Sequence, residues 1–396
     1  MTVFNTQVSL VALACAFASP SLFAADSSLT NPNISAVLNG YYQTGERPLS
    51  ETSEGFGLGE TELAMSANID DMFYGKVTAV VEIHDGESEL NLEEAFIQTM
   101  AMPGGFSIRG GRFLSDIGYL NNQHLHTDSF TDRPIAYRAF LGGHYFDDGV
   151  RLNFVAPTDL YWTMGVEAFK GESLRAADEH GEREFENVGV YTLYTKIGGD
   201  IGDNSSWQAG LSYLRNENGQ VTAHEEGEED EDEHEHEHEE GHDHSHAASY
   251  TGKNTYGADF VYKWAPNGNY KYQNLTLSGE YFRVTDFTPV DLHPEDAPSK
   301  DYHQGWYLSS VYQFTPSWSA GVRYGEVDTQ ELHGDHFHAQ KLKESEVTLA
   351  WHSSHFSTVR FQYTNQKGTN FDGFEDDNIF TIQYIMTLGA HGAHQF

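Results

Sequence analysis

Cysteine is all but missing from this 396-residue chain: its one copy, Cys15, lies in the first apolar stretch. Disulfides, thiolate metal sites and cysteine nucleophiles are therefore excluded downstream. Long apolar runs are missing as well, and nothing after that stretch reaches the roughly 18 residues a membrane-crossing helix needs. Basic residues are few, 22 Lys+Arg against 60 Asp+Glu, for a formal net charge of −38. A phosphate backbone requires a basic surface, so nucleic acid is excluded as a partner and small cations are favoured. Gly-rich phosphate loops, Gly-x-Ser-x-Gly and His-Glu-x-x-His motifs are absent, and the expectation is that the chain is not an enzyme.

The N-terminus has an apolar stretch over residues 8–17, broken by Ser19-Pro20-Ser21-Leu22-Phe23-Ala24. It is too short to span a bilayer and reads as a cleaved export signal over residues 1–24, leaving 25–396 as the mature chain.

Past the leader, side-chain character alternates with a period of two, which is strand and not helix. Leu63, Met65 and Ala67 alternate with Glu62, Ala64 and Ser66; Phe380, Ile382, Tyr384, Met386 and Leu388 alternate with Thr381 and Gln383. Strands are expected to begin near residues 34, 58, 73, 90, 106, 148, 160, 187, 206, 254, 273, 304, 318, 345, 357 and 378. Every second connection is short, as at 70–72, 102–105 and 315–317. Those between are mostly longer, as at 45–57, 84–89, 113–147, 217–253 and 328–344. Short turns on one side and long loops on the other predict an all-β fold: a transmembrane antiparallel up-and-down β-barrel of about sixteen strands, with short periplasmic turns and long external loops. Closure follows because an open sheet edge in lipid leaves N–H and C=O groups unsatisfied.

The stretch Phe106-Ser107-Ile108-Arg109-Gly110-Gly111-Arg112-Phe113-Leu114-Ser115-Asp116-Ile117-Gly118 resembles the strand that enters the third external loop of phosphate-selective outer-membrane porins. Asp147-Asp148-Gly149-Val150-Arg151-Leu152 resembles the strand that follows it. The chain is also similar to zinc-linked outer-membrane proteins with a His-rich loop, which share an ending like Leu388-Gly389-Ala390-His391-Gly392-Ala393-His394-Gln395-Phe396. Such proteins are sometimes labelled TonB-dependent receptors, but too little chain precedes the second strand here for the folded plug of a true receptor. The resemblance implies residence in the bacterial outer membrane among lipid and lipopolysaccharide. It further implies handling by the barrel assembly machinery through the strand ending at Phe396, and a homotrimer. Arg109, Arg112, Arg151, Arg323 and Arg360, with Lys76, Lys196 and Lys263, would supply a ladder of inward cations. Glu60, Glu62, Glu82, Glu94, Glu167, Asp259, Glu280 and Glu346 compete with them and argue against strict anion selectivity. In general porins the third loop folds inward, which makes His124, His126, Asp128, Asp132, Arg133, Arg138 and His144 the constriction candidates.

Between Ala223 and Ala247 lies the most unusual segment, with 7 His and 13 Asp or Glu in 23 residues. It has no apolar surface to offset chain entropy, so disorder is expected across 217–253. His224, His234, His236, His238, His242, Asp243, His244 and His246 offer imidazole and carboxylate donors, a set suited to zinc and similar divalent metals. Spacing of two in extended backbone places neighbouring imidazoles on one side, where several weak, interchangeable ions could bind. His333, Asp335, His336 and His338 form a second cluster, in the seventh external loop. No cofactor is required; zinc or another divalent metal is the expected ligand. The expected function is passive uptake of that ion, with the loop concentrating it at the pore mouth. The alternative is a general or phosphate/anion-selective porin whose loop only buffers metal.

Overall fold

In the computed structural model, the described residues are 32–84, 87–176, 185–220, 248–288, 297–333, 336–370 and 377–389. The leader expected over residues 1–24, the His-rich segment from His224 to His246, Asp335 and the closing residues through Phe396 lie outside them.

Seventeen strand segments form one antiparallel sheet that closes on itself. In chain order they are β1 (Asn33–Gln43), β2 (Gly55–Leu58), β3 (Thr61–Asn68), β4 (Phe73–His84), β5 (Glu87–Thr99), β6 (Phe106–Leu114), β7 (Phe146–Val155), β8 (Tyr161–Phe169), β9 (Val190–Ile201), β10 (Ser205–Asn216), β11 (Asn254–Trp264), β12 (Asn274–Thr285), β13 (Tyr302–Thr315), β14 (Trp318–His333), β15 (His336–Ser354), β16 (Ser357–Thr369) and β17 (Asp377–Gly389). Both β2 and β3 pair with β1, so they are two pieces of one interrupted stave and the barrel has sixteen. Closure runs between β1 and β17, in register from Ser35↔Gly389 to Gln43↔Thr381.

The alternation places apolar side chains outside and polar ones inside. On β17, Phe380, Ile382, Tyr384 and Leu388 are exposed on the outer wall, while Thr381 and Gln383 are buried inside. Leu193, Leu211, Leu308 and Val347 continue the outer apolar surface around the barrel. Near the periplasmic end, Trp318 and Trp351 stack with ring centroids 6.3 Å apart, and Tyr270 and Tyr272 stand exposed, as an interfacial aromatic girdle requires. An apolar outer wall on a closed barrel places the protein in a bacterial outer membrane.

Two long connections differ from expectation. The loop expected over 328–344 is a tight hairpin: β14 and β15 continue to His333 and from His336, with Glu331 opposite His338. Inward Val327 and Leu342 keep the alternation going, while the outward residues become charged and pair across strands, as Lys343 does with Glu326 at 3.6 Å. The charges resemble loop in sequence, yet the ladder continues beyond the bilayer. The connection expected over 84–89 shortens in the same way, between His84 and Glu87.

The apolar core lies inside the cylinder, formed by the third external loop between β6 and β7. Its short helix α1 (Ile135–Leu141) is buried on every face. Ile135, Phe140 and Leu141 pack with Tyr307, Val327 and Leu342 of the wall, each buried side chain contributing about 1.5–3 kcal/mol. Gly305 on β13 allows this approach, because a Cβ there would stand 2.8 Å from Phe140 Cε2 and 3.1 Å from the Ala136 Cβ.

Candidate functional site

The third loop meets the barrel wall at two charged regions. On one side, β3, β4 and β5 present Glu62, Lys76, Glu93 and Glu94, with Glu60 just ahead of β3. Alternation alone places Glu60 and Glu62 inward together and makes Glu93 and Glu94 face opposite ways. A β-bulge changes that. Thr78 pairs with Glu94 and Ala79 with Leu92, leaving Glu93 without a cross-strand partner. The extra residue rotates the strand so that both glutamates point into the barrel. Glu60, Glu62, Glu93 and Glu94 are all buried, at 6, 2, 1 and 4% exposure. Sequence reasoning missed Glu93; the only available signal was the adjacent acid pair interrupting the alternation.

Three histidines of the third loop descend onto these carboxylates. His124 Nδ1 stands 3.1 Å from Glu93 Oε2 and 3.4 Å from Glu62 Oε2, and its Nε2 is 3.0 Å from Glu94 Oε2. Lys76 Nζ lies 2.8 Å from the same Nε2 and contacts Glu94. His126 Nδ1 contacts the other oxygen of Glu62. His144 Nε2 is 3.1 Å from Glu93 Oε1, with Nδ1 3.9 Å from Glu60. Glu62 and Glu93 each therefore bridge two imidazoles. Burial disfavours the charged ring of His124, but Glu93, Glu62 and Glu94 more than offset this and hold its pKa well above the usual imidazole value.

The opposite side is built from arginine. Arg47 of the first external loop reaches Glu344 and Glu346 on β15, each at 2.9 Å. Arg138 of α1 bridges Asp132 at 2.9 Å and Glu344 at 2.6 Å. Arg323 holds Glu346 and donates to the Asp132 carbonyl at 2.7 Å; Arg360 donates to the Phe130 carbonyl at 3.1 Å and contacts the Asp128 carbonyl. Arg133 donates to the Leu120 carbonyl at 2.8 Å and pairs with Asp128 at 3.3 Å. Arg323 and Arg360, expected in the inward ladder, and Arg133 and Arg138, expected at the constriction, are buried struts that fasten the loop to the wall.

Arg109 and Arg151 do face the lumen. With Lys196, Asp116 and Tyr194 they border a cavity of about 930 Å³ in the periplasmic half. Arg109 donates to Gln98 Oε1 at 2.9 and 2.6 Å; Arg151 pairs with Asp116 at 3.0 Å and Glu167 at 2.6 Å. Arg112 corrects the inward ladder. It stands three residues from Arg109, so a period of two turns it outward, where it pairs with outward Asp148 at 2.9 Å. A second periplasmic cavity, about 1370 Å³, is bordered by His126, Lys263 and Arg360, while toward the outside Glu60 borders a small one of about 60 Å³. The His–Glu cluster reaches both, through Glu60 at the small cavity and His126 at the wide one. Of the second His-rich cluster, His338 is exposed beside the tip of the β14–β15 hairpin, where the backbones of His333 and His336 pair.

No family model matches the chain. It is 28% identical over 392 residues to an uncharacterized protein of Aquifex aeolicus (strain VF5), covering 94% of this chain and 76% of that one. Among solved structures it is similar to the anion-selective porin from Comamonas acidovorans (9% identity, TM-score 0.54, 91% of this chain and 100% of that one). It is also similar to the outer-membrane channel DcaP of Acinetobacter baumannii (13% identity, TM-score 0.54, 91% and 97%). The likeness establishes a porin-type barrel fold.

Proposed function

We propose that the chain is a passive outer-membrane channel admitting a divalent metal cation, zinc foremost, with the His/Asp/Glu-rich segment gathering the ion at the external mouth. One observation carries this reading. At the third loop, four buried carboxylates face three imidazoles and a single lysine, so this part of the lumen favours cations. The His-rich segment supports the same reading: it joins β10 to β11 at their external ends, where many weak ligands raise local ion occupancy and release it quickly. Its resemblance to zinc-linked outer-membrane proteins points the same way.

Arg109, Arg151 and Lys196 around the 930 Å³ cavity favour a second reading, a general or phosphate-selective porin whose loop only buffers metal. Reversal potentials of the purified protein in planar bilayers separate the two. Cation preference in zinc chloride supports the first; preference for phosphate over potassium replaces it with the second. One neighbouring structure is a trimer form of the Vibrio cholerae outer-membrane protein OmpT, and a homotrimer is the assembly we propose here.

A further inference from the structure

We propose that Glu62, Glu93 and His124 form a divalent transition-metal site where the third loop meets the barrel wall, at which the ion halts in transit beside the Lys76 ammonium. The inference depends on the channel reading for how the ion arrives, and on the side chains alone for whether it binds.

Their donor atoms lie within 4.8 Å of one another. The separations from His124 Nδ1, 3.1 and 3.4 Å, resemble the roughly 3.3 Å between ligand atoms in a tetrahedral zinc shell with bonds near 2.0–2.1 Å. Glu93 is 1% exposed, and neither its oxygens nor His124 Nδ1 make an aligned hydrogen bond despite this closeness. Carboxylate and imidazole donors without thiolate suit zinc, cobalt, nickel, manganese or ferrous iron. Three protein ligands leave one position open, the arrangement of a site that exchanges its occupant.

An ion on Nδ1 requires His124 to carry its proton on Nε2, where Glu94 Oε2 at 3.0 Å accepts it as an outer-shell partner. Lys76 Nζ stands 2.8 Å from that same Nε2 and contacts Glu94. Lys76 keeps Glu94 as its partner, and its ammonium stays close enough to repel the ion and limit its residence. A transit site needs that weakness.

The test uses Co²⁺ as a spectroscopic probe, with Zn²⁺ in competition, on the full chain and on a variant lacking residues 224–246. The loop-deleted barrel is expected to bind one Co²⁺ with the visible bands of a nitrogen–oxygen site, and Zn²⁺ to displace it. Glu93→Gln or His124→Gln should weaken binding by about tenfold or more, and Lys76→Met should tighten it roughly tenfold. A gain in affinity cannot arise from misfolding, so Lys76→Met decides the matter if the other variants fail to assemble. No bound ion in the deleted barrel, or unchanged affinity in Lys76→Met, overturns the site. Zinc flux measured in parallel keeps the readings apart: binding without flux defeats the channel, and flux without binding defeats the site.

Discussion

The third loop is held to the barrel by two buried charged regions that solve one problem differently. Around β15, Arg47, Arg138 and Arg323 meet Glu344, Glu346 and Asp132, three permanent cations against three carboxylates. Around β3 and β5, Glu60, Glu62, Glu93 and Glu94 meet one lysine and three histidines. Buried charge is costly unless compensated. The arginine region is complete in itself, whereas the histidine region is balanced only when protons or a metal ion make up the deficit. A closed ion-pair network is a fastening; one short of positive charge is a place for a cation. Arginine suits the first role because it stays charged and binds carboxylates and carbonyls in a planar fork.

Breaking the fastening should have the largest effect. Arg323→Ala takes from Glu346 one of its two guanidinium partners, leaving Arg47, and removes the Arg323 donor from the Asp132 carbonyl, at a cost of about 1.5–3 kcal/mol. The expected outcome is a lower midpoint in denaturant unfolding together with larger, noisier single-channel conductance as the loop loosens. Glu62→Gln with Glu93→Gln should preserve the fold while shifting the reversal potential toward anions, because the wall near Arg109 and Arg151 then dominates the lumen. Deleting residues 224–246 should leave the unfolding midpoint unchanged and reduce zinc entry only when zinc is scarce, an effect lost at high external zinc. Smallest of all is Arg112→Ala. Its pair with Asp148 lies on the outer wall, so stability should change by about 0.5 kcal/mol or less and ion selectivity not at all. A selectivity change there would contradict its outward placement.

The barrel was legible because lipid outside and water inside impose a period of two, and because turns and loops alternate in length. Leu193 or Phe380 announces an outer wall through its neighbours alone. The constriction was legible in its residue types and not in their roles. His124, His126 and His144 are candidates on the third loop, but their carboxylate partners lie thirty or more residues away in sequence. Glu93 escaped because a bulge breaks the very alternation used to assign faces. Arg112 was misassigned by treating two nearby arginines as one ladder when an interval of three places them on opposite faces. Arg323 and Arg360 were recognised as inward, but their buried contacts with Asp132, Phe130 and Asp128 depend on where the loop lies, which local pattern does not record.

The most direct measurement is zinc entry into proteoliposomes at limiting external zinc, comparing the wild-type barrel with the Glu93→Gln variant. Entry should saturate with zinc concentration in the wild type, and the concentration giving half-maximal entry should rise by about tenfold in the variant. Equal entry at every concentration, or a rate that follows phosphate instead of zinc, would contradict a passage built around the histidine region.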